Sequence, residues 1–225
     1  MQKPLGQYMG AYAYFLARSL LRLIHRSCSH WIRYALHMGS WPSSIAAMTC
    51  TSYFTHLASY NQWMNRKLYN AASVLSDEQL TQNRGAFFGS ILGTLNHIAV
   101  GDILWLKRVA NYFPNLSSLA PLQEVKAPTD LDQQLCTDFS TLTNLRASLD
   151  EVIVNLSKEL SQEQLDAPFE YTSTKGIKSK KLLGEVLLHF FNHQTHHRGQ
   201  ATTLFSQLGI NVGATDLILL IPNQQ

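Results

Sequence analysis

Apolar residues recur every three or four positions in four long stretches of this chain, and each stretch reads as an amphipathic helix. The first covers residues 53 to about 75, with Phe54, Leu57, Met64, Leu68, Ala71, Ala72 and Leu75 in phase. The second covers about 87 to 110 on Ile91, Leu92, Leu95, Ile98, Ile103, Leu104 and Leu106. The third is expected from Thr129, an N-cap with acids behind it, to about residue 160. The fourth covers about 179 to 208 and stops at Gly209. Ser76-Asp77-Glu78-Gln79 and Ser161-Gln162-Glu163-Gln164 each carry a capping-box pattern that starts a short turn. Residues 169 to 176 read as a small extended excursion or hairpin. Residues 111 to 128, with Pro114, Pro121 and Pro128, form a connector. These elements predict an all-α protein, a four-helix bundle with long crossover connections.

Composition changes the picture at one end only. Residues 1 to 50 hold five basic residues and no acidic one, whereas the rest carries 13 basic and 15 acidic residues, so the overall +3 describes neither part. The body shows no basic stripe that would argue for nucleic acid. Residues 1 to 47 are expected to be an N-terminal extension, disordered or loosely helical, set before a domain at 48 to 225. Translation starting at Met48 is the favoured explanation, with a targeting leader or a membrane-surface helix as alternatives. The apolar run before Arg18 is too short to span a bilayer, and no membrane role is expected for the bundle. The tail run Leu217-Ile218-Leu219-Leu220-Ile221 is expected to pack over the bundle or into a partner subunit. Cys28, Cys50 and Cys136 are far apart and odd in number, which fits a reducing, cytoplasmic setting and leaves no thiolate pair for a metal.

The candidate chemistry lies in the fourth helix. Four of the nine histidines, His189, His193, His196 and His197, fall within nine residues. At roughly 100° per residue, His193 and His197 are about 40° apart and one turn from each other, close enough for one ion to be held by both. His189 and His196 lie about 40° and 60° from His193, so the phase gives a cluster without selecting its ligands. His97 lies within the second helix, and three imidazoles from two packed helices leave coordination positions open. Gly101, one turn on, would let a ligand or a neighbouring helix approach. Asp102 is about 140° from His97 and reads as a solvated or capping carboxylate. Asn192, Gln194 and Arg198 fall away from the His193/His197 face.

Four motifs carry a resemblance. They are Tyr60-Asn61-x-Trp63-x-Asn65-x-x-Leu68, Leu95-Asn96-His97-Ile98-x-x-Gly101-Asp102-x-x-Trp105-Leu106, His189-Phe190-x-Asn192-His193-x-Thr195-His196-His197-Arg198-Gly199-Gln200, and Gly213-x-x-x-Asp216-Leu217. Together they resemble the DinB/YfiT-like family of bacterial metal-binding four-helix bundles, over about three quarters of the chain. The resemblance implies a three-histidine site at His97, His193 and His197, with His189 and His196 in supporting or structural roles. It implies a divalent metal cation, nickel or zinc most often, and a homodimer. Some relatives are transferases or isomerases that depend on low-molecular-weight thiols. The expected function is therefore a metal-dependent enzyme such as a thiol S-transferase, acting on a small thiol and an electrophilic substrate. The alternative is a non-catalytic dimeric metal-binding protein of stress response or metal handling.

Overall fold

The computed structural model describes residues 50–223, and the expectations for residues 1 to 47 lie outside them. Four long helices form the frame: α1 (Cys50–Ala72), α3 (Ile91–Tyr112), α4 (Phe139–Glu159) and α6 (Leu183–Ser206). Two short helices, α2 (Asp77–Thr81) and α5 (Gln162–Asp166), begin at Ser76 and Ser161 with both halves of the expected capping boxes formed. A hairpin of β1 (Pro168–Thr172) and β2 (Lys178–Leu182) pairs antiparallel, with Tyr171 opposite Ser179 and Phe169 opposite Lys181. A 3-10 turn at Ser117–Leu122 interrupts the long connection between α3 and α4.

α1 packs on α4 and α6, and α3 packs on α6 and α4, so the helices close around one core. Leu68 of α1, Leu95 and Ile103 of α3, Leu142 and Leu149 of α4 and Phe205 of α6 are fully buried there. Truncating any of these leucines to alanine would cost about 2–5 kcal/mol. The hairpin is pinned by Phe169, also fully buried, and by Tyr112, whose hydroxyl donates to the Pro168 carbonyl at 2.7 Å.

Several predicted helix starts shift. The second long helix begins at Ile91 rather than about residue 87, with the Ser90 hydroxyl capping the Gly93 N–H at 3.0 Å. The third long helix begins at Phe139 rather than Thr129, with Asp138 capping the Thr141 N–H at 2.7 Å. The preceding segment is held out of the helix by Asn96 of α3. The Asn96 side-chain carbonyl accepts the N–H groups of Leu135 and Cys136 at 2.9 and 3.0 Å, and its amide donates to the Cys136 carbonyl. The fourth long helix begins at Leu183, because residues 178 to 182 are drawn into the hairpin. It ends as expected, with Gly209 at φ +72°. The tail returns across α1, where the Tyr60 hydroxyl donates to the Thr215 carbonyl at 2.7 Å, and it leaves Ile218, Leu219 and Ile221 exposed. Among the described residues no helix is long and apolar enough to cross a membrane.

Candidate metal centre

The contact between α3 and α6 brings three of the five singled-out histidines together. His97 Nε2 lies 3.2 Å from His197 Nε2 and 3.3 Å from His193 Nε2. All three ligand atoms fall within 4.8 Å of one another. Imidazoles bound to one ion at about 2.0–2.1 Å with near-tetrahedral angles have nitrogens ~3.3 Å apart, so the spacing fits a single first-row cation. These three histidines could hold a metal ion.

Their orientation is fixed from behind. A carbonyl can only accept, so His97 Nδ1 carries the proton that it donates to the Leu131 carbonyl at 2.7 Å. His197 Nδ1 donates to Gln200 Oε1 at 2.8 Å, and Gln200 is turned that way because its amide donates to His196 Nε2 at 3.3 Å. With Nδ1–H committed in both rings, each Nε2 presents a lone pair to the shared point, the tautomer a metal requires. Burial and neighbouring histidines keep the charge off these rings. Burial first, then repulsion from His197 and His97, brings His193 down to about 3. Burial also lowers His97 and His197 below the usual imidazole value.

Gly101 permits this meeting of helices. A Cβ at that position would stand 2.8 Å from His193 Cε1 and 3.3 Å from its Nδ1, so a side chain there would displace the ring. Phe88 covers the other flank, stacked on His97 with centroids 3.7 Å apart and edge-on to His197 at 5.5 Å. His189 and His196 are exposed and stand outside the trio. His196 acts through Gln200, and the His189 ring lies 5.9 Å from that of His193. The Leu131 carbonyl and Gln200 were not singled out in the sequence as partners of these rings. A glutamine three residues beyond a helical histidine is the one local signal that could have found the second.

Asp102 is neither solvated nor capping. It is fully buried, and its carboxylate accepts from Arg146 at 2.5 Å and from the Gln194 amide at 2.6 Å. The expectation failed because α3 is covered on both sides by α4 and α6, and its wheel has no solvent face at that level. The network continues through Asp150, which pairs with Arg146 at 3.0 Å and accepts from Asn65 at 2.8 Å. Arg198 donates to Asn61 and to Gln194 Oε1. Burial opposes the charge on Arg146, but Asp150 and Asp102 more than offset it and its pKa lies above the ordinary value. Burial raises Asp102 to about 6 against the pull of Arg146. Gln194 and Arg198 thus face away from the histidine point, as the helical phase predicts, and lock α6 to the other three helices.

The DinB family profile matches residues 48–224. The chain is 27% identical over 161 residues to Protein DinB of Bacillus subtilis (strain 168), an alignment that covers 71% of this chain and 88% of that protein. No solved structure matches it. The chain belongs to the DinB family.

Proposed function

We propose that this DinB-family chain binds one divalent cation, nickel or zinc, through His97, His193 and His197, and acts as a metal-dependent transferase that moves an electrophilic group onto a low-molecular-weight thiol. The observation that supports this reading is the convergence of three neutral Nε2 atoms from two helices, two of them with Nδ1–H already committed. A divalent ion there supplies a Lewis acid that favours a thiolate near neutral pH.

The protein's own residues do the rest. The Leu131 carbonyl and Gln200 hold two imidazoles in the ligating tautomer. Phe88 keeps water from one face of His97. His189, exposed beside His193 and without a hydrogen bond among the described residues, would accept the thiol proton. The thiol S–H bond breaks, a sulfur–carbon bond forms, and the leaving group departs with its bonding pair while the proton passes through His189 to solvent. The free thiols of Cys50 and Cys136 fit the reducing cytoplasm in which a small thiol is available.

The test is thioether formation by the metal-loaded full chain from 2-mercaptoethanol and 1-chloro-2,4-dinitrobenzene. Turnover that is lost on chelation and in His97→Ala is expected. Stoichiometric metal with no turnover across a panel of thiols and electrophiles would contradict the transferase and favour metal handling.

A further inference from the structure

The row of rings that begins at the histidine point does not end there. His189 sits beside His193, and Trp105 of α3 meets His189 edge-on at 5.5 Å. Tyr171 of β1 meets Trp105 at 5.0 Å. At the end of the row stands Arg108, its guanidinium 4.6 Å from the Trp105 ring and 5.5 Å from the Tyr171 ring. Both rings lie within cation–π reach of the guanidinium, and they take none of its N–H donors. Among the described residues no carboxylate or carbonyl takes them either. Glu170, next to Tyr171, is already paired with Lys180 at 2.7 Å. Arg108 lies seven residues beyond Gly101, about 10 Å along the helix axis.

We propose that Arg108, set against Trp105 and Tyr171, is the anion-recognition subsite of the metal centre, and that the thiol substrate carries a carboxylate about 10 Å from its sulfur. This rests on the thiol reading above. The planar fork of an arginine matches a carboxylate with two parallel hydrogen bonds, and partial burial strengthens them. The aromatic row between the two ends offers an apolar wall for the linker of such a thiol. Sulfur at the histidine end and carboxylate at the arginine end would fix both the identity and the direction of the substrate.

Three probes separate the two ends: 8-mercaptooctanoate, its methyl ester, and octanoate without sulfur. Each is titrated calorimetrically into the metal-loaded full chain and into Arg108→Gln. The mercapto acid is expected to bind tenfold or more tighter than its ester, as a charge-assisted pair would give. Arg108→Gln should abolish that preference while leaving metal content and ester affinity unchanged, and Arg108→Lys should restore it only in part. Equal binding of acid and ester would overturn the subsite and leave thiol ligation standing. Octanoate binding as tightly as the mercapto acid, and losing its hold in Arg108→Gln, would keep the subsite and overturn thiol ligation. No binding of any probe would overturn both.

Discussion

Two polar clusters meet on α3 and α6, where they take adjacent positions, and the ion-pair cluster also draws Arg146 and Asp150 from α4. Gly101 serves the histidines and Asp102 the ion pairs, and on α6 the pairs His193/Gln194 and His197/Arg198 divide in the same way. The ion-pair cluster balances itself, with Asp102 and Asp150 against Arg146 and Arg198, all buried. It is balanced in charge rather than complete in hydrogen bonds, since Asn61 Nδ2 and Arg146 Nε find no acceptor among the described residues. The histidine cluster does the opposite: its rings are oriented so that lone pairs, not protons, meet at 3.2 and 3.3 Å. A cluster that neutralises itself holds helices together, whereas one that converges acceptors on a point calls for a cation. The ion-pair cluster ties the helices together, and the histidine cluster is a group that could hold a metal ion.

The largest effect should come from breaking the balanced cluster. Arg146→Met leaves two buried carboxylates unpaired, and removing one partner of a buried pair costs about 3–5 kcal/mol. Urea unfolding of the metal-free protein should show that loss, while metal per folded chain stays unchanged. Gln200→Ala should do the converse. Losing the partner that orients a ligating histidine lowers metal affinity by about 10–100-fold. Competition against a chelator should report that drop, with little change in metal-free unfolding because Gln200 is only half-buried.

A smaller effect sharpens the contrast through pH. Three ordinary imidazoles with pKa near 6.5 would cost about a thousandfold in metal affinity between pH 7.5 and 5.5, as protons compete with the ion. Here His193 lies at about 3, and His97 and His197 are also lowered, chiefly by burial. Taking His193 out of that competition removes one factor of about ten, and the lowering of His97 and His197 reduces the loss further, so it should be under about a hundredfold. The same shifts fix a sign for the metal-free protein. The unfolded chain takes up protons on its histidines below pH ~6.5, where the folded cluster does not, so stability falls as pH drops from there toward 3. Replacing His193 with alanine should flatten that slope.

Much of this arrangement was legible in the sequence, for particular reasons. The capping boxes at Ser76 and Ser161 are local signals and formed where expected. The histidines share a face because helical phase is a short-range property, and the family motifs picked His97 as their partner across the bundle. What the sequence hid depends on distant contacts. A helical wheel misplaces Asp102 because it assumes one solvent face, and α3 is buried on both sides of its middle. Thr129 resembles an N-cap, yet Asn96 and His97 claim the backbone that follows it. Those two bonds are 34 and 39 residues away in sequence, where no local pattern reaches.

The most direct test of the central claim is elemental analysis of the protein purified without a histidine tag and without added metal, beside the His193→Ala/His197→Ala double variant. Near one divalent ion per chain in the first and none in the second is the predicted result. No metal in the unchanged protein, even after dialysis against nickel or zinc, would contradict it and leave the histidines as packing residues of the bundle.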